Sequence, residues 1–406
     1  MKKNWFYLFA LICSVALFTA CSDDDEPANL PVNTVNGTYP STDGTNVLQL
    51  TYGDAVMSGK SVTFNSADGQ TATITLSGAE NALLSGLLSQ SVKNPGVVPG
   101  EASTTLNVTL VPEGKTGYTF TGTDESNGRT LTYTGAIEAG KLTLDVDVTF
   151  ADNNLQGTWN LFSSDDPWNT TYPIHAVWEN DPQINIGGFL NVDLGWVLNV
   201  VVQLPLIGDD ANKQSLNDMI AAVLQNVTFR NDGNIIASYS DAANVAAPSW
   251  QNSPLGMVQY CVKNDRIYVY LDIDTIIGAL TTASTKADGD ADLVGTLLTT
   301  LLGHINEIAP MLSEGISLGY TIDEATGMLS VYVDQNGLGA VLVDIVGELL
   351  SNETLMAALS EMMASNPDFS SFAPMMETVL PQLPAVVAGT TNLELGLNFN
   401  PATAAE

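Results

Sequence analysis

The chain has 406 residues, with 12 Lys+Arg against 45 Asp+Glu and a formal net charge of −33. That balance excludes a phosphate-backbone binder, which needs clustered cations, and so no nucleic-acid partner is expected. A hydrophobic share of 45% with 14% charged residues excludes a disordered polyacid, and two His with three Cys leave little raw material for a zinc, haem or Cys/His centre, so no cofactor and no metal site are expected.

Residues 1–20 read as a signal peptide. Lys2 and Lys3 precede a run from Trp5 to Phe18 that is apolar apart from Ser14. That run is shorter than the roughly 20 residues a membrane span needs. Its end, Leu17-Phe18-Thr19-Ala20-Cys21, resembles the lipobox of bacterial lipoproteins. The resemblance implies lipidation of Cys21, which becomes the new N-terminus. Asp23, Asp24, Asp25 and Glu26 follow directly and resemble the surface-export signal of Bacteroidetes lipoproteins. Together they imply a protein held on the outer membrane by its acyl chains and facing the cell exterior. Two or three chains hold stably, because each buried methylene contributes about 0.8 kcal/mol. Residues 21–34, with Pro27 and Pro31, read as an acidic flexible tether. Cys13 leaves with the signal and Cys21 is modified, so Cys261 is the one free thiol and no intrachain disulfide is expected.

Residues 35–152 read as a small all-β domain, an antiparallel sandwich or barrel. Ser61–Phe64, the turn Ala67-Asp68-Gly69 and Thr73–Leu76 form one expected hairpin. Thr130–Thr134, the turn Glu138-Ala139-Gly140 and Leu142–Phe150 form another, the last strand alternating strictly between apolar and polar. A helix is expected around Ala79–Ser89, and Asn94–Gly100 reads as a loop.

Residues 153–406 read as a larger α+β domain, an antiparallel β unit with helical insertions. Hairpins are expected around the turns Asn231-Asp232-Gly233, Asn264-Asp265 and Glu324–Gly327. Helices are expected near 213–226, 293–312 and 338–364; in the last, Leu342, Ile345, Val346 and Leu349 share one face. Leu393, Leu395, Leu397 and Phe399 alternate, so a strand closes the chain. The whole is thus α+β and β-rich.

Val35-Asn36-Gly37-Thr38-Tyr39 and Leu155-Gln156-Gly157-Thr158-Trp159 open the two domains alike. This Gly-x-aromatic opening resembles the first strand of lipocalin-like barrels, which implies that first and last strands pair. Lipobox, acidic tether, repeated opening and helix-rich second half together are similar to a family of uncharacterised Bacteroidetes surface lipoproteins of about 400 residues. The resemblance implies a location and no chemistry.

Several motifs fail on inspection. Gly315-Ile316-Ser317-Leu318-Gly319 has the spacing of a nucleophile elbow, but a helix precedes it, a strand follows, and no His lies downstream. Asp288, Asp290 and Asp292 begin like a calcium loop, yet Leu293 and Thr299 stand where Gly and Glu are required. His175 and His304 carry no ligand-spaced partner, and Cys261 reads as an inert thiol on one strand face with Met257 and Gln259. Asp145 with Asp147, and Asp272 with Asp274, share strand faces and read as solubilising rows. Asp274-Thr275-Ile276 resembles the Bacteroidetes O-glycosylation acceptor, which implies a glycan on Thr275.

Trp168, Tyr172 and Trp178 fall in a Pro-, Asn- and Asp-rich stretch that reads as a loop. Such rings suit stacking on a sugar or contact with a partner protein; alternatively they fold back and cap the barrel. Met356, Met362, Met363, Met375 and Met376 line either a groove or a core. The reading that follows is a non-enzymatic, lipid-anchored surface protein that binds a glycan or other polar ligand, or a partner in a surface uptake complex. The alternatives are a carrier of a lipid or apolar ligand in a helix-lined groove around 338–380, and a hydrolase using paired carboxylates.

Overall fold

The computed structural model describes residues 32–40, 46–114, 117–164, 170–205, 213–240, 247–272, 300, 303–352, 356–357 and 378–402. The fold is β-rich, with several antiparallel sheets, a curled half-barrel and a few helices. In the first unit the elements are β1 (Gly37–Pro40), β2 (Val47–Tyr52), β3 (Ala55–Val56), β4 (Lys60–Asn65), β5 (Thr71–Gly78), α1 (Ala82–Leu88), β6 (Ser103–Thr109), β7 (Val111–Glu113), β8 (Gly117–Ser126), β9 (Arg129–Glu138) and β10 (Lys141–Phe150). Two sheets, β1-β4-β5-β6 and β3-β2-β10-β9-β8-β7, enclose one core. The period-two pattern produces it: Leu142, Leu144, Val146 and Val148 of β10 are buried while Thr143, Asp147 and Thr149 are exposed. Their inward side chains meet Val62, Phe64, Ile74 and Leu76 of the facing sheet. β2 and β10 pair in parallel, from Val47 opposite Lys141 to Tyr52 opposite Val146.

The second unit continues with β11 (Gly157–Leu161), β12 (Ile174–Asn180), β13 (Ile184–Ile186), β14 (Leu190–Val192), α2 (Leu194–Val201), α3 (Leu216–Val223), β15 (Leu224–Phe229), β16 (Ile235–Tyr239), β17 (Gln251–Asn252), β18 (Val258–Lys263), β19 (Arg266–Leu271), α4 (Ile305–Glu314), β20 (Ile316–Ile322), β21 (Leu329–Asp334), α5 (Leu338–Ser351), α6 (Leu383–Ala388) and β22 (Thr390–Pro401). One long sheet runs β17-β16-β15-β11-β22-β21-β20-β19-β18, with β12 also on β22. Its inner face holds Trp159, Phe229, Ile267, Leu329 and Phe399, and α2, α5 and α6 pack on a neighbouring cluster around Trp178 and Leu393. A small cluster of Leu84, Val92 and Ala309 joins α1 to α4 across the two units.

The repeated opening is a repeated structure. Tyr39 donates its hydroxyl to the carbonyl of Val35 at 2.6 Å, and Trp159 donates its indole N–H to Leu155 at 2.7 Å, each four residues back. Gly37, Thr38 and Tyr39 lie opposite Phe64, Thr63 and Val62, and Gly157, Thr158 and Trp159 lie opposite Phe229, Thr228 and Val227. The facing Thr hydroxyls meet in both copies, at 3.1 and 2.8 Å. Each partner strand then turns at an Asp-Gly pair, where Asp68 and Asp232 accept the backbone N–H two residues on. The strand orders β1-β4-β5-β6 and β11-β15-β16-β17 match.

Three expectations change. First and last strands pair in the second unit, β11 on β22. In the first unit β1 pairs with β4 while β10 pairs with β2, because the chain passes from one sheet to the other after Pro40. The helix expected near 213–226 ends at Val223, and Leu224–Phe229 is a strand; the capping box of Ser215 and Asp218 starts it, but Val227-Thr228-Phe229 satisfy the sheet. The stretch read as a loop becomes β12 from Ile174, its Pro173 and Pro182 standing just outside the strand rather than within it. Of the other expected helices, α4 begins at Ile305 and α5 ends at Ser351; 293–299 and 358–364 lie outside the described residues.

Removing either aromatic-to-carbonyl bond leaves a buried carbonyl without its donor. Tyr39→Phe is therefore expected to lower unfolding stability by about 1–3 kcal/mol, read by urea denaturation. Trp159→Phe should do the same in the second unit, with an added loss for its smaller ring.

Candidate functional site

A cavity of about 230 Å³ lies between the two units. The first unit contributes the end of β3, the turn Met57-Ser58-Gly59, Lys60 at the start of β4, and the loop at Asn94-Pro95. The turn requires glycine: Gly59 has φ +62°, and a side chain there would meet the Asn94 amide at 2.5 Å. The second unit contributes Pro254, Leu255, Gly256, Met257 and Gln259 ahead of and within β18, and Tyr270, Leu271 and Asp272 at the end of β19. The backbone N–H of Asp272 bonds the Met257 carbonyl at 3.1 Å, so the two sides of that wall are tied together.

The units are also joined by the turn Asn231-Asp232-Gly233. The Tyr52 hydroxyl donates to the Asp232 carbonyl at 2.6 Å, and the Phe150 N–H donates to the Asn231 carbonyl at 2.8 Å. Across the mouth, the Ser58 hydroxyl donates to Asp272 at 3.1 Å.

Lys60 is the chemically unusual wall residue. It sits in phase with the core residues Val62 and Phe64, so its stem is buried and its side chain is carried inward. Its ammonium donates to the carbonyls of Pro95 at 2.9 Å and Gly96 at 3.0 Å. Burial pushes its pKa from 10.5 down to about 8, and the nearby Asp272 carboxylate opposes that shift. Gln259 is 4% exposed, and its Nε2 has no hydrogen-bond partner among the described residues. Tyr270 and Cys261 face each other at 3.6 Å, and burial pushes both pKa values up, so neither ionises readily. The cavity thus offers buried donors, a carboxylate, backbone oxygens and two thioethers.

The residues picked out in the sequence do not converge. Cys21, Asp23, Asp24, Asp25, Glu26, Trp168, Thr275 and the Asp288–Asp292 stretch lie outside the described residues, as do Asp274, Met362, Met363, Met375 and Met376. The glycan-stacking strip was expected on a loop, but Trp178 stands in a strand. It is 4% exposed, donates to the Thr390 hydroxyl at 2.8 Å, and packs its backbone against Gly195, where a side chain would come within 2.5 Å. Tyr172 is half-buried, and its carbonyl accepts from Asn398 at 2.9 Å. Ser317 is a strand residue whose hydroxyl accepts from Arg266 at 2.6 Å. Arg266 in turn makes a two-pronged pair with Asp334 at 2.7 and 2.8 Å. His175 bonds Glu394 at 2.9 Å and stacks on Tyr332, and His304 lies near Glu307 and Glu348. Asp145 and Asp147 stand on the outer face of β10; the Asp147 pKa is raised by burial, and also by Asp145, Asp54 and Asp232. Among the described residues no cluster of His, Cys, Asp or Glu has the geometry of a metal site, and no helix is long and apolar enough to cross a membrane.

Lys60, Gln259 and Asp272 were not singled out as a group by sequence. One signal was present: a lysine in the inward phase of an alternating strand is out of place. Comparison with known protein families, with curated proteins and with solved structures finds no match.

Two predictions follow from this geometry. Trp178→Ala should remove a core ring and lower stability by about 3–5 kcal/mol, seen as a steep drop in melting temperature. For Lys60, the unfolded chain keeps a proton between pH 8 and 10.5 that the folded chain has released. The burial penalty is thus fully present below pH 8, and stability rises relative to Lys60→Met across that window by about 3 kcal/mol. Urea melts of the two proteins at several pH values measure the difference.

Proposed function

We propose that this chain is a lipid-anchored, surface-exposed binding protein of the outer membrane, of the kind its N-terminus resembles, and that it holds a polar, hydroxyl-rich ligand in the inter-unit cavity. The observation that carries the ligand reading is the Gln259 amide, 4% exposed and without a partner among the described residues. Leaving such a donor unmet costs about 1–3 kcal/mol, which an acceptor on a ligand recovers. Lys60, Asn94, Ser58 and Asp272 on the same walls favour a polar ligand over the apolar one a lipid carrier would need. The volume is below the roughly 300–1,000 Å³ of pockets that enclose a drug-sized molecule. It therefore suits one end of a ligand, such as a terminal sugar, with the rest of the molecule in solvent. The anchor reading rests on Leu17–Cys21, and the outward orientation on Asp23–Glu26.

The test is a glycan array probed with the mature protein. Binding is expected in the wild type, a loss of several-fold to about tenfold in Gln259→Leu, and near abolition in Ser58→Trp, which fills the mouth from an exposed position. Glycan binding that ignores both changes would place the site elsewhere, and no binding to any glycan would end the reading. The anchor has its own check: a fatty-acid analogue should label the wild type and not Cys21→Ala.

A further inference from the structure

The outer surface of the second unit carries an apolar projection. Phe189, at the tip of the β13–β14 hairpin, is 85% exposed, and Leu190, Trp196 and Val201 follow it at 40%, 49% and 43%. The tip is built to project. Gly187 and Gly188 have φ of +63° and +81°, and the Gly188 N–H bonds the Asn185 side chain at 2.8 Å. Its base is rigid, because Gln382 both accepts from the Asn185 N–H at 2.8 Å and donates to the Asn185 carbonyl at 2.9 Å. α2 continues the surface with two apolar sides. Leu194, Val197 and Leu198 pack inward on Trp178 and Val386, while Trp196 and Val201 face out.

We infer that Phe189, Leu190, Trp196 and Val201 form a membrane-contacting surface that rests in the lipid interface beside the acyl chains of Cys21. Three observations favour a bilayer over another partner. Between Gln183 and Pro205 the one charged residue is Asp193, and its carboxylate is occupied by Gln183 at 3.1 Å and the Asn180 N–H at 3.4 Å. A window with a single, hydrogen-bonded charge in a chain of net charge −33 fits a zwitterionic lipid surface better than a second, equally acidic copy. Trp and Phe on a turn and helix suit the headgroup–acyl boundary. Cys21 lies eleven residues before Val32, where the described chain begins, a reach of at most about 40 Å. The anchor therefore keeps the body close enough for weak apolar contact to be occupied. This inference rests on the anchor reading for proximity, and not on the ligand reading.

The experiment uses the mature protein reconstituted into phosphatidylcholine vesicles with and without brominated acyl chains. Brominated lipid is expected to quench part of the tryptophan emission, and Trp196→Phe should remove most of the quenched part. Phe189→Asp should reduce it about tenfold, because a charge replaces the ring that enters the lipid interface. An unchanged melting temperature for Phe189→Asp shows that the fold is intact. Protein that floats with the vesicles but emits alike in both lipids overturns the inference and leaves the anchor standing. If the purified protein carries no acyl chain, the anchor reading fails. The same vesicles then test the surface alone, and absence of quenching overturns it. Unquenched protein that dimerises in a Phe189-dependent way overturns it too, in favour of a second copy.

Discussion

The turn Asn231-Asp232-Gly233 is the contact on which the arrangement of the two units depends. Its backbone oxygens take hydrogen bonds from Tyr52 and Phe150 of the first unit. Gly233, at φ +79°, is pressed so closely against Phe150, Pro99 and the Tyr260 carbonyl that a side chain there would clash at 2.8 Å. Among the described residues no crosslink does this work, since Cys261 is free and buried. Placing a backbone turn in the seam satisfies buried polar groups on both sides at once, and it brings the end of β19 opposite the start of β4.

That juxtaposition creates the cavity and explains its chemistry. Lys60 is buried beside the seam, and the loss of water around its ammonium lowers its pKa toward 8. The carbonyls of Pro95 and Gly96 and the carboxylate of Asp272 then replace part of the lost hydration. Gln259, on the facing wall, is buried as well.

The duplicated opening shows how local chemistry builds each unit. A glycine lets the chain turn into the strand, a threonine pairs with a threonine across it, and an aromatic reaches back to the carbonyl four residues before. The bond closes the sheet end and buries Val35 and Leu155 completely. The two copies then diverge in how they finish. The first folds into two facing sheets, while the second adds helices to one curled sheet.

The alternation of apolar and polar residues along β10 and β22, and the Asp-Gly turns at 68–69 and 232–233, were legible because the period-two side-chain pattern of a strand and positive-φ glycine are local properties. The five-residue repeat was legible too, though its meaning as a hydrogen-bonded latch was not. β12 was obscured because prolines at 173 and 182 mark its limits in the fold yet look like loop residues in the sequence. Trp178 belongs to the core because Gly195 and Thr390, distant in sequence, close around it. The sequence by itself determined the β-rich class and carries the lipobox-like start. The burial of Lys60, the Gln259 amide without a partner among the described residues, and the exposure of Phe189 were decided only by tertiary structure. Each depends on which surfaces the closing of distant strands covers and which it leaves open, and no local pattern encodes that.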